Sequence, residues 1–277
     1  MVPISLAVTL MQYTGVLQWL AQYLNPLFVH LGLPGESAVI FMSGAAAGTY
    51  AGIAAMMSLP LTFKQASILA AMIALCHALP MECAVNRKTG SSFWTMASIR
   101  IAMALLCALL LNVILPPDNS PYFYIGAPAD SGLYDVITVW LLSQLKMSAL
   151  VVALIYVLMV MQRALEEYHL LRPISHALSP LMSVFGLPRS AAYMWLVGNV
   201  LGISYGSAVM LDMEHKGLIS KADANDVNYH LIMNHSMLED TIVFAAAGIS
   251  AWLLLSVRMA LALVVVWSRK ALRLVWH

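Results

Sequence analysis

Charge is what this sequence lacks. Of its 277 residues only 10% are Asp, Glu, Lys or Arg, whereas 61% are hydrophobic, and mean hydropathy is +0.83. A soluble domain needs far more polar surface, so the chain reads as an integral membrane protein whose first partner is the lipid bilayer. Net charge is also lacking, at +1, which excludes the basic footprint of a nucleic-acid binder. There are only three cysteines, Cys76, Cys83 and Cys107, all in apolar stretches, so no disulfide framework is expected. No basic segment precedes the first apolar run, as a cleaved signal peptide would require. A Walker loop, a nucleophile elbow and an HExxH pair are absent as well. The expectation is therefore no enzyme, no bound cofactor and no ATP-driven step within this chain.

What the sequence does have is itself, twice. Pro26-Leu27 and Gly32-Leu33-Pro34 return as Pro180-Leu181 and Gly186-Leu187-Pro188, and the same offset carries Gly44, Gly48 and Gly52 onto Gly198, Gly202 and Gly206. Four residues are then gained, after which His77, Gly90, Ser92, Trp94, Ser98 and Arg100 map onto His235, Gly248, Ser250, Trp252, Ser256 and Arg258. Leu and Ala match by chance in apolar sequence, but Gly, Pro, His, Trp and Arg in one order do not. In a membrane protein such duplication points to a transporter with its site between two repeats.

Six stretches are long enough to cross a bilayer, near 4–24, 66–86, 93–115, 136–162, 226–246 and 250–268. Two more, 36–60 and 190–213, are cut in the middle by glycine, at Gly48 to Gly52 and at Gly198 to Gly206. They read as re-entrant hairpins. Three spans per repeat is an odd number, so the second repeat is inverted relative to the first. The positive-inside rule supports this. With Pro116–Tyr134 outside, Arg87, Lys88, Arg163, Arg172, Arg189, Lys216, Lys221, Arg269, Lys270 and Arg273 all fall inside, and Lys64 alone falls outside. The expected fold is thus all-α: repeat 1 over 1–115 with hairpin 36–60, an external loop over 116–134, and repeat 2 over 135–277. Within repeat 2, 163–185 is an interfacial arm and 190–213 a hairpin. Both termini are expected in the cytoplasm, and the membrane is expected to be the bacterial inner membrane.

The chemistry-bearing residues sit at membrane depth. His77 and Glu82 flank Pro80 in one span, and Asn234, His235, Glu239 and Asp240 occupy the equivalent place in repeat 2. Proline removes a backbone donor, so the first of these helices is expected to open at Pro80. Ionisable groups here are costly and usually functional. Hairpin-tip residues Thr49, Tyr50, Asn199, Ser204 and Tyr205 offer neutral hydrogen bonds to a solute. Arg100 and Arg258 are expected to form structural ion pairs with Glu82 and Asp240. Lys146 is read as snorkelling to the outer interface, and Asp212, Glu214 and His215 as solvated.

Gly32-Leu33-Pro34-Gly35-Glu36-Ser37, the Gly44–Gly52 hairpin, and Cys76–Glu82 leading to Arg87-Lys88-Thr89-Gly90 resemble the nucleoside-recognition, or Gate, family. That group includes spore-maturation-type proteins and, more distantly, the gate regions of concentrative nucleoside transporters and ferrous-iron permeases. The likeness covers both repeats, roughly 26–110 and 180–268, and no GTPase domain accompanies it. It implies a secondary transporter for a small polar solute, nucleoside-like, working by alternating access, with proton coupling supplied by His beside carboxylate. Two other readings stay open: a divalent-metal permease using His77, His235, Glu82, Asp240, Glu239 and Cys76, and a scaffold for a partner membrane protein. A homo-oligomer is equally open.

Overall fold

A computed structural model describes residues 2–122 and 131–275. Among the described residues there is no strand; fourteen α-helices account for the regular structure. Four of these segments are long and apolar enough to cross a membrane: Phe63–Lys88, Phe93–Ile114, Leu133–Glu167 and Ala251–Val275.

Several expectations need adjustment. The stretch near 4–24 is not one straight span. It forms α1 (Val2–Tyr13) and α2 (Val16–His30), bent by 91°. The cause is Gly15, whose φ of 78° lies in the left-handed region, which ends α1 and restarts the helix in a new direction. The stretch 226–246 is two helices, α12 (Lys221–Asn234) and α13 (Met237–Ala246), and its many polar residues keep it outside the four apolar spans. The arm expected over 163–185 begins as the last turn of α8 (Leu133–Glu167), and only α9 (Leu171–Val184) is a separate amphipathic helix. Of the loop 116–134, residues 123–130, including Asp130, lie outside the described residues.

The chain divides into two compact units. One comprises Met1–Leu79, Ala102–Ile155 and Val243–Ser250; the other comprises Pro80–Ile101, Tyr156–Ile242 and Ala251–His277. In the first, α3 (Ser37–Ala47) and α4 (Thr49–Met56) fold back at Gly48, φ 100°. A Cβ at Gly52 would lie 3.2 Å from the Gly44 Cα, so the two arms touch backbone to backbone. α5 (Phe63–Cys76) starts at a capping box, in which the Thr62 hydroxyl accepts from the Gln65 N–H and the Gln65 side chain answers the Thr62 N–H. Lys64 is not idle here: its Nζ donates to the Asn112 and Leu115 carbonyls, 2.8 and 3.1 Å, and caps the C-terminus of α7 (Phe93–Ile114).

The second unit repeats these devices. α10 (Ala192–Val200) and α11 (Ile203–His215) turn at Gly202, φ 91°, and a Cβ at Gly206 would lie 2.8 Å from the Gly198 Cα. α12 starts at a capping box between Ser220 and Asp223. Its core packs Phe185, Trp195 and Leu231 with Met194 and Met210. Asp226 pairs with Arg269 and Arg273 of α14 (Ala251–Val275), and the Arg269 guanidinium lies 3.8 Å over the Tyr229 ring.

Candidate functional site

The site grows from two broken helices. α5 gives way to α6 (Leu79–Lys88) at His77-Ala78, and α12 gives way to α13 at His235-Ser236. Both breaks have one geometry. Ala78 and Ser236 are non-glycine residues at positive φ, 43° and 50°, a conformation that costs on the order of 1 kcal/mol or more and needs support. The support is identical: the Ala78 N–H donates to the Gly44 carbonyl at 3.1 Å, and the Ser236 N–H to the Gly198 carbonyl at 3.2 Å. Each hairpin thus holds its broken helix open through a glycine carbonyl. Pro80 is not the breaking point. It is the second residue of α6, where a missing N–H costs nothing, and repeat 2 breaks the same way with no proline.

Opening the helix frees carbonyls and lets charged groups reach them. The Arg258 Nε donates to the Met233 carbonyl at 3.0 Å and one Nη to the His235 carbonyl at 2.5 Å, satisfying the end of α12. Its other Nη reaches Asp240 at 2.9 Å. Arg100 meets Glu82 at 2.5 Å, the equivalent pair eighteen residues apart in the other repeat. All four side chains are buried.

His235 joins this network. Its Nδ1 lies 2.7 Å from the Leu231 carbonyl, which can only accept, so Nδ1 carries a proton. Its Nε2 lies 2.9 Å from the same Glu82 oxygen that Arg100 holds. A neutral imidazole would place a lone pair against a carboxylate there. A proton on either the ring or the carboxyl would turn this contact into a hydrogen bond. His77 has the matching inner contact, its Nδ1 3.2 Å from the Ile73 and Ala74 carbonyls, and is buried.

The remaining expected residues fall elsewhere. Asn234 is buried beside His230 and Met259, and Glu239 is half-buried. Thr49 is buried at the start of α4 and Tyr50 is half-buried. Asn199 donates to the Trp195 carbonyl of its own helix at 2.9 Å. Ser204 and Tyr205 are exposed, and Tyr205 lines an open groove of about 660 Å³ with Tyr156, Gln162 and Arg163. The Glu82 carboxylate and the His235 imidazole are also metal-ligand types; they stand 2.9 Å apart, with the Arg100 guanidinium on the same carboxylate oxygen.

The sequence reading missed a second polar group in this unit. Asn228 donates to the Thr89 hydroxyl at 2.7 Å and to the Ser91 hydroxyl at 2.9 Å, and Ser91 donates to Asn225 at 2.6 Å. Asn86, fully buried, has neither amide atom bonded among the described residues, and neither has the Asn228 Oδ1. The available signal was spacing: Glu82 and Asn86 stand four apart on one face of α6, with Thr89 just past its end.

Comparison with known proteins agrees with this architecture. A family model described as Gate, nucleoside recognition, matches residues 1–115, from α1 through α7. An uncharacterized membrane protein of Bacillus subtilis (strain 168), YvoD, is 32% identical over 268 residues, covering 94% of this chain and 85% of the relative. The chain belongs to the Gate family of membrane proteins. No solved structure matches it. As a Gate protein it is an integral membrane protein, and the geometry of its second half, residues 180–268, repeats that of the segment the family model covers.

Proposed function

We propose that this Gate protein is a secondary transporter that moves a small polar solute, nucleoside-like, across the bacterial inner membrane. In this reading it works by alternating access of two inverted repeats, with α3–α4 and α10–α11 as re-entrant hairpins and both termini cytoplasmic. The observation that carries the reading is the Glu82–His235 contact, a buried imidazole against a buried carboxylate at a helix break. A coupled transporter needs a titratable group of this kind near its solute. The family description fits a nucleoside-like solute.

A thermal-shift panel of nucleosides, other polar metabolites and divalent metals on the detergent-purified protein tests this. A ligand at a hundredfold its Kd stabilises by about 2.7 kcal/mol. A shift with a nucleoside-like solute, abolished by Glu82→Gln, is the expected result. A shift with divalent metal alone overturns it.

A further inference from the structure

We infer that α6 and α12 enclose a water-filled seam, running from Glu82 past Asn86 to Thr89, Ser91 and Asn228, that gives protons access to the Glu82–His235 couple. The inference rests on the proposed transport reading for its purpose, but not for its geometry. His235 meets Glu82 at one end, while Asn228 meets Thr89 and Ser91 at the other, so the two helices run antiparallel along a shared face. Glu82, Cys83 and Asn86 are the buried residues of α6, and Thr89 is buried in the turn that follows it. At 1.5 Å per residue, Asn86 stands about 6 Å from Glu82 along the helix, the span that one bridging water covers.

Two observations point to water. The first is the unmet hydrogen bonding: both amide atoms of Asn86 and the Asn228 Oδ1 are buried without a partner among the described residues. A buried amide is retained only if something bonds it, and a site with three such polar atoms suits water. The second is the departure from the repeat. The position equivalent to Asn86 is Phe244, that of Thr89 is Ala247, that of Ser91 is Ile249 and that of Asn228 is Ala70. Phe244, Ile249 and Ala70 are fully buried. The backbone device is duplicated, yet one copy of the seam is lined by amides and hydroxyls and the other by a phenyl ring and methyl groups. Water therefore finds a polar lining along the α6–α12 copy, and an apolar one along the other.

Hydroxyl-radical footprinting of the intact, solute-free protein in detergent tests this, because radicals made from water oxidise thiols beside them. Cys76, Cys83 and Cys107 are all buried, and Cys83 is the one that stands on α6, next to Glu82 at the end of the seam. Cys83 should be oxidised several-fold faster than Cys76 and Cys107. Asn86→Leu, which fills the seam with an apolar side chain, should bring Cys83 down to their rate. Asn86→Ala, which leaves room for water, should not. Equal rates for all three thiols in the unmodified protein, or no loss of Cys83 oxidation in a folded Asn86→Leu, overturn the proposal. The readout needs no transported solute. A dry Cys83 removes the seam and leaves the solute reading to its own panel, while a labelled Cys83 in a protein that binds no solute does the reverse.

Discussion

Removing Asp240 should destabilise the protein chiefly through the partner it abandons. Arg258 is 1% exposed, and its guanidinium has three bonds: to the Met233 carbonyl, the His235 carbonyl and Asp240. In Asp240→Ala the two carbonyls remain, so the cation keeps its backbone contacts but loses its counter-charge. Breaking one side of a buried pair costs about 3–5 kcal/mol, and the surviving bonds put this case near about 3 kcal/mol. Arg258→Met should cost more, because it strands the Asp240 charge and also two carbonyls at the end of α12, each worth about 1–3 kcal/mol when unsatisfied. The double variant leaves neither charge of this pair buried and only the carbonyls unmet. Its destabilisation should therefore fall short of the sum of the single changes by at least about 2 kcal/mol, a coupling typical of residues in one network. Asp240→Asn should sit between the unmodified protein and Asp240→Ala, since its amide oxygen still accepts from Nη1 without the charge. Reversible unfolding in mixed detergent micelles gives all four values. Additivity within about 0.5 kcal/mol would refute the ion-pair argument.

Gly206→Ala should be strongly destabilising, by about 2 kcal/mol or more, because its Cβ meets backbone at 2.8 Å; Gly217→Ala, at φ +69° with open space around it, should cost only the about 1 kcal/mol of left-handed strain, and equal melting temperatures would refute the hairpin packing. Lys64→Met should lower stability by about 1 kcal/mol through the lost cap on the Asn112 and Leu115 carbonyls, and amide exchange at the end of α7 should quicken; unchanged exchange would show the cap to be idle. Cysteines placed at Ser120 and Ser268 should be labelled by an impermeant reagent from opposite faces of the membrane, and labelling from one face would end the inverted-repeat reading.

The repeat was legible because its markers are residues that the backbone demands. Gly48 and Gly202 sit at φ 100° and 91°, and Gly90 and Gly248 at 88° and 87°, conformations that tolerate little else, so the glycines register in sequence what the chain does in space. The pairing of Arg100 with Glu82 and of Arg258 with Asp240 was readable for a similar reason: few charges exist at membrane depth, and each must find another. What was not readable depended on neighbours distant in the chain. The break at His77-Ala78 is held by the Gly44 carbonyl, more than thirty residues upstream, so a reading confined to the local sequence assigned it to Pro80. The bend at Gly15 was hidden because a single glycine inside an apolar run is also tolerated in a straight membrane helix.

The duplication also supplies a control that a single-copy protein lacks. Where both repeats hold the same residue type at the same backbone geometry, as at Gly44 and Gly198, architecture alone accounts for it. Where the geometry is kept and the side chain is not, architecture cannot be the reason. Asn86 and Phe244 stand at equivalent places on α6 and α13, both fully buried, and a phenyl ring there shows that the position accepts an apolar group. An unbonded amide in the other copy is thus a choice against stability, since filling it with hydrocarbon is open to the fold. Structural symmetry with chemical asymmetry is what the proposed seam requires: one copy lined by amides and hydroxyls, the other by hydrocarbon.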